Sequence, residues 1–584
     1  MDKMMGRKAL RRGCVAAAIA ASLLPAAVYA QENPFAGVGV AGYLLNELEP
    51  ERHIDPNPPK PDVKIEAPAL SQQGTEEAVE VEKIAFHWAE ADLLAKKPAL
   101  YYKPEGKTEL QHLDEEAHLL ADGKIGGKIT FNNLVKLAEE ITLRLRQLGY
   151  PTAICYMPRQ QMAGGVLTMN VILGTYDGIT LTNESMLTDE RLKGYTYELK
   201  AGDLIYNDTI NKSLLILNEI PGMLVRANMA PGSAVGTAGL VIDASCLEKQ
   251  GAMAYVDNYG SRSTGRYRYG AHYHYNNLSR VGDQIQLNYM TSNHRDIDNY
   301  HIQYDLPLGR DGAKWRVGYS RMNYELGDKH AWMDADGMSD TFETGVTIPM
   351  ERTLNYSNFY DIAYRHRQIE DNMFGKVFSE QKSSDVVDIT LKGYKRASVD
   401  SLSYSITTSI GKLYMDNEQA QTTDMYGAAG WFQKTGADAY YIHNFSDVTS
   451  LHVSASGQWS WGHDLDSSED FYISGPNAVR AYPSGEASGD WGALGTAELR
   501  YQTDCPELQL TAFYDVGYVR YNTNPIISGE RSQTLAGAGI GLIYNKSRDY
   551  YFKLDYAVPL TDKYSRSFGR DNDHMLWFRF VKQF

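Results

Sequence analysis

The stretch GPNAVRAY carries one arginine, Arg480, among small and turn-forming residues. A loop arginine is ordinarily solvated and of little energetic weight. Its chemistry therefore depends on whether an acid is brought to it. Downstream, LQLTAFYDVGYVRY alternates: Leu510, Ala512, Tyr514 and Val516 share one face, and Thr511, Phe513, Asp515 and Gly517 the other. Glu498 and Arg500 share a face in GTAELRYQ, which suits charge pairing better than acid–base catalysis. His272 and His274 stand at i, i+2 on one strand face with no third ligand indicated nearby, so no metal site is expected. Without its first residues the chain keeps Cys155, Cys246 and Cys505, too few and too scattered for a disulfide framework. No GxSxG elbow appears, and GSRSTG lacks the Lys-Ser/Thr ending of a phosphate loop. The expectation is a non-enzyme without cofactor.

The elements that must position these residues fall into several parts. The 584 residues carry a net charge of −16, which argues against nucleic acid as the main partner. Tyrosine is the abundant aromatic, 41 against 16 Phe and 8 Trp, as suits half-wet strands and membrane-interface belts. Basic Lys3, Arg7, Lys8, Arg11 and Arg12, the apolar run Cys14 to Leu24, and PAAVYA read as a signal peptide over 1–30. Residues 31–50 can form one short amphipathic helix, and 51–81 are proline-rich and acidic, the composition of an extended linker.

Residues 82–174 and 175–248 read as two small α/β units. In the first, Leu134, Leu137, Ala138, Ile141, Leu145 and Leu148 recur at helical spacing, with Thr130 or Asn132 as the cap and Gly149 just past the end. In the second, NDTINKSLLILNEI is a helix stopped at Pro221-Gly222, and MLVRANMA and TAGLVIDA are strands. Each unit is expected to leave a sheet edge free.

From 249 to 584 the pattern is period-two strands broken by Asn, Asp, Gly and Ser turns. Arg, His, Gln and Asp occupy the face that a dry core would fill, and unpaired they could not be buried there. A membrane barrel resolves the conflict, because lipid takes one face and a watery lumen the other. About 335 residues at roughly 20 per strand and loop give on the order of 16 antiparallel strands. The closing HMLWFRFVKQF ends an alternating strand on Phe584, a terminal aromatic of the sort that barrel-assembly machinery reads.

These segments resemble a known family. GYPTAICYMPRQQMAGGVLTMNVILG is similar to the first periplasmic (POTRA) domain of two-partner secretion transporters of the haemolysin and haemagglutinin type. LLILNEIPGMLVRANMAPGSAVGTAGLVIDA resembles their second POTRA domain, and VDNYGSRSTGRYRYG their first barrel strand. GPNAVRAY resembles their inward-folded loop, here near 471–492, and AFYDVGYV the wall strand that partners it. The resemblance implies a mainly β protein of the outer membrane: a 16-stranded barrel, two POTRA domains reaching into the periplasm, and the 31–50 helix as a plug. It implies export of one large secreted partner of the adhesin, haemolysin or contact-dependent toxin type. Outer-membrane lipid and the barrel-assembly machinery would be the other partners. By carry-over, Arg480 is the loop arginine and Asp515 its acid, with Val479, Tyr482 and Gly517 beside them.

A carboxylate at Asp515 facing the lumen suits a bidentate guanidinium. The alternative sends Arg480 into external water and pairs Asp515 with a neighbouring strand. In the first POTRA unit, Leu134, Leu137, Ile141, Gly149, Tyr150, Pro158 and Gln160 are the residues expected to receive the partner. Two departures from the family pattern stand out. Ala481 replaces the usual glycine, and would cost on the order of 1 kcal/mol if its backbone had positive φ. The stretch KIAFHWAEADLLAKKPALYYKPEGKTELQ also matches poorly. The competing function is an insertase that assembles other barrels, which usually carries more POTRA domains and lacks the linker and plug. A general porin would leave residues 31–246 without a purpose.

Overall fold

In the computed structural model the described residues are 62–65, 75–96, 107–161, 164–424, 427–522, 531–546, 549–561, 564–565 and 570–584. The expected signal peptide (1–30), the expected plug helix (31–50) and most of the stretch read as linker lie outside them. Among the described residues no helix is long and apolar enough to cross a membrane.

The C-terminal part is a closed barrel of sixteen antiparallel strands, from Gln250–Asp257 to Met575–Gln583. Each pairs with its neighbour in sequence, and the last closes on the first from Met253↔Gln583 to Asp257↔Arg579. The alternation read from the sequence sets the two faces. In Leu508–Arg520, Thr511, Phe513, Asp515, Gly517 and Val519 are buried, while Leu510, Ala512 and Tyr518 are exposed. Exposed Tyr300, Ile302, Tyr360, Ile362, Val387, Ile389 and Leu576 continue the apolar outer band.

The first α/β unit packs the helices Glu109–Ala121 and Phe131–Gln147 on a three-stranded sheet of Lys83–Trp88, Val166–Ile172 and Ile154–Tyr156. Thr130 caps the longer helix by accepting from Asn133 N–H, and Gly149 follows it at φ 104°. The shorter helix begins at the end of the poorly matching stretch, where Thr108 and Gln111 close a reciprocal capping box. The second unit places Asp189–Tyr195 and Asn207–Asn218 on a four-stranded sheet.

Two strands fall in the stretch read as linker. Ala78–Val81 pairs with Gly127–Thr130, and Val81 is part of the first unit's core. Asp62–Ile65 lies parallel on the Met223–Pro231 strand, from Asp62↔Arg226 to Ile65↔Met229. The Met223–Pro231 side of the second unit's sheet is therefore covered by the chain itself, while Thr175–Glu184, at the other side, pairs only with Thr237–Cys246 among the described strands. Alternating Val63 packs against the core while Lys64 is exposed, enough period-two pattern to make a strand in a proline-rich context.

The second unit is seated on the barrel's periplasmic turns. Arg191 Nη2 donates to Pro307 O at 2.9 Å, Tyr197 Oη to Asp311 Oδ1 at 2.9 Å, and Lys314 Nζ to Glu219 O at 3.2 Å. Arg352 pairs with Glu219 across the same joint.

Candidate functional site

The loop between the strands Thr449–Ser460 and Trp491–Gln502 turns into the lumen. Phe471, Ile473, Val479, Ala481 and Tyr482 from the loop are buried against Phe513, Val519, Leu535 and Ala557 of the wall. Close approach is possible because the wall lacks side chains where the backbones meet. A Cβ on Gly517 would lie 2.7 Å from Ile473 Cβ, and one on Gly537 would lie 2.4 Å from Ala481 Cβ.

Arg480 forms the charged tip and is 4% exposed, Asp515 0%. Its Nε and Nη2 donate to Asp515 Oδ2 and Oδ1, both at 2.9 Å, and its backbone N–H donates to Oδ2 at 3.1 Å. Nη1 donates to Glu498 Oε2 at 2.7 Å and stands 3.6 Å from Asp555 Oδ2. The guanidinium carbon is 3.3 Å from the Phe513 ring centroid. Each carboxylate has a second donor or cation: Thr496 on Asp515 at 3.0 Å, Arg500 on Glu498 at 2.8 Å, Lys553 on Asp555 at 3.4 Å. Three cations thus face three buried carboxylates; Asp515 and Glu498 are hydrogen-bonded as well as paired, whereas Asp555 is held by charge and its Oδ1 has no hydrogen-bond partner among the described residues.

The loop backbone is held as well. Trp577 Nε1 donates to Arg480 O and Asn572 Nδ2 to Ala481 O, each at 2.7 Å; the Tyr482 hydroxyl meets Thr561 Oγ1 at 2.9 Å. Ala481 is not among the described residues with positive φ, so the departure from glycine carries no backbone strain. Gly537 supplies the space instead. Beside the loop the lumen keeps a cavity of about 980 Å³, lined by Ser320, Thr341, Thr390, Thr407 and charged Arg316 and Glu343 among others.

The expected partner-receiving residues of the first unit do not form a surface. Leu134, Leu137 and Ile141 are buried between helix and sheet, as their helical spacing equally allows. Gly149 and Tyr150 form the joint to the second unit. Asn207 N–H donates to Gly149 O at 2.9 Å, and a Cβ on Gly149 would lie 2.5 Å from Tyr206 Cε2. Tyr150 Oη donates to Glu109 Oε1 at 2.8 Å inside the core. Pro158 is half-buried and Gln160 exposed. The Gln160 amide both donates to Thr168 O and accepts from Thr168 N–H, at 2.7 and 2.8 Å, extending the sheet past Tyr156. His272 bonds Asn288, and among the described residues no group of His, Cys, Asp or Glu is placed to hold a metal.

Sequence reasoning missed Asp555 and the aromatic floor at Phe513, and it did not join Glu498 to Arg480. The signal at Glu498 was its shared face with Arg500. Asp555 sits in FKLDYAVP, where the same alternation puts it opposite exposed Tyr556.

A closed sixteen-stranded barrel with a loop folded into its lumen, preceded by two α/β units, is the architecture of an outer-membrane barrel protein of the transporter class. Residues 237–544 match the model of the haemolysin secretion/activation protein family ShlB/FhaC/HecB, and residues 102–174 match the ShlB-type POTRA domain. The chain belongs to that family, the two-partner secretion transporters, which export a partner protein. Among curated relatives, the heme/hemopexin transporter protein HuxB of Haemophilus influenzae is 25% identical over 487 residues, covering 81% of this chain and 84% of HuxB. Among solved structures, CdiB from Escherichia coli superimposes with a TM-score of 0.67 at 18% identity, covering 89% of this chain and 93% of CdiB. BamA from Haemophilus ducreyi lacking POTRA domains 1–3 reaches 0.50 at 14% identity, over 81% of this chain and 97% of that one. These two likenesses describe the fold.

Proposed function

We propose that this transporter takes up its exoprotein unfolded, by strand addition to a POTRA sheet, and threads it through the lumen without nucleotide hydrolysis. The Arg480–Asp515 contact is the latch that holds the inward loop. The observation that carries the uptake step is the Asp62–Ile65 strand on the Met223–Pro231 edge: this edge accepts an extended chain through backbone hydrogen bonds. An exoprotein strand would use the same bonds and would have to displace that segment. Folding of the cargo outside supplies the pull, since no phosphate-binding loop occurs in the sequence.

The decisive experiment is deletion of the gene followed by identification of proteins lost from the culture supernatant. Loss of one large protein supports export, and its identity tells whether the cargo follows HuxB, described as a heme/hemopexin transporter, or CdiB. Loss of many unrelated outer-membrane proteins would instead assign the chain to barrel insertion.

A further inference from the structure

The inward loop is held at a second place, and there the polarity is reversed. At the tip a loop cation meets wall carboxylates; at the root a loop carboxylate meets wall cations. Glu469, at the end of the short 3-10 turn Ser467–Glu469, is 3% exposed. Its Oε1 is 2.9 Å from Arg365 Nη1 and 3.6 Å from Arg367 Nη1; its Oε2 is 3.3 Å from Arg365 Nη2 and 2.9 Å from Lys434 Nζ. The neighbouring backbone is gripped by the same groups. Arg367 Nη1 donates to Ser468 O at 3.1 Å, and Lys434 Nζ and Gln458 Nε2 both donate to Glu469 O at 2.8 Å. Lys382 Nζ adds a contact of 3.1 Å to Asp466 Oδ2.

The two holds engage different sectors of the ring. Counted from Gln250–Asp257, the root cations come from strands seven, eight and ten, and the tip carboxylates from strands twelve, thirteen and fifteen. If the root let go, Arg365, Arg367 and Lys434 would all lose the Glu469 carboxylate, and Arg365 would be left with the more distant Asp388, 3.8 Å away. Opening the tip strands less charge: Arg500 and Lys553 still pair with Glu498 and Asp555, and Asp515, which loses its guanidinium, keeps the Thr496 hydroxyl.

We propose that Glu469 is a positioning residue of the export machinery, an anchor that pins the root of the inward loop so that the loop withdraws by swinging about it when Arg480 leaves Asp515. The proposal rests on the export reading only for its biological purpose; the anchor itself is tested without cargo. In outer-membrane vesicles holding the full chain, Ser468→Cys reports the root and Ser484→Cys the tip, each read as maleimide modification of that peptide by mass spectrometry. Both positions are buried in the resting loop.

Glu469→Gln should accelerate labelling at position 468 by on the order of tenfold or more. Glu469→Asp keeps the carboxylate among Arg365, Arg367 and Lys434 and should label more slowly than the isosteric Glu469→Gln, whereas a role in packing alone predicts the reverse order. Arg480→Ala should accelerate position 484 while position 468 stays slow. Unchanged labelling at 468 in Glu469→Gln, labelling in Glu469→Asp as fast as in Glu469→Gln, or release of both positions together by Arg480→Ala would each overturn the anchor.

Discussion

The contact between Gly537 and Ala481 offers a test of the latch that leaves every charge in place. A Cβ built on Gly537 meets Ala481 Cβ at 2.4 Å, whereas its next neighbours, Val558 O and Ala481 Cα, lie at 3.3 and 3.5 Å. Two such carbons rest at about 3.5–4.0 Å, so Gly537→Ala must push the loop tip off the wall by at least about 1 Å. Overpacking of this kind costs roughly 1–3 kcal/mol. That is less than the roughly 3–5 kcal/mol expected when one partner of a buried ion pair is deleted, so the variant should loosen the tip without abolishing its docking. The opening equilibrium should then rise about 5- to 150-fold, and labelling at Ser484→Cys follows it. Ala481→Gly removes the clashing atom, so the double variant Gly537→Ala/Ala481→Gly should return labelling most of the way to the parent rate. Gly495→Ala on a wall strand is the control, since its Cβ would meet nothing nearer than Val516 Cγ1 at 3.8 Å. An unaccelerated Gly537→Ala, or a double variant as loose as the single, would refute the packing argument.

Other expectations concern the latch, the joint and the thiols. Arg480→Ala should leave the amount of heat-modifiable barrel near normal while cutting secretion of the partner at least tenfold, on the order of the loss of a buried charge pair. Removing Asp62–Ile65 should increase binding of unfolded partner in pull-down with the otherwise full-length, detergent-solubilised chain; unchanged binding would argue against the edge. Arg352→Ala should leave Glu219 without its cation and loosen the POTRA–barrel joint, seen as faster amide exchange over Asn207–Asn218. Burial pushes the Cys155 thiol up to about 12, so it stays neutral and unreactive at pH 8, where exposed Cys246 and Cys505 label; Cys155 should react only on unfolding.

The barrel was readable because lipid and lumen impose a strict two-residue period, and Asp515 advertised its face through Leu510, Ala512 and Tyr514. The helix Phe131–Gln147 was readable through its apolar stripe and its Thr130 cap. The same stripe misled about Leu134, Leu137 and Ile141, because periodicity marks the face that packs and says nothing of whether sheet or partner covers it. Glu109–Ala121 had a usable start signal in Thr108 and Gln111, weakened by the irregular run before it. What stayed hidden was non-local. Glu498, Asp515 and Asp555 come from three strands, and only ring closure and an inward loop bring them to one guanidinium. Glu469 was equally silent, since nothing near it in sequence announces Arg365 or Lys434.

The strand Asp62–Ile65 also sets a length. While it lies on the second unit's sheet, everything before residue 62 is moored there. Once it peels away, the mooring retreats to Thr75, whose carbonyl accepts from Asn132 N–H at 3.1 Å. Thirteen residues separate the two moorings and span at most about 43–47 Å, so a bound strand of four residues governs whether the N-terminal segment works on a short leash or a long one.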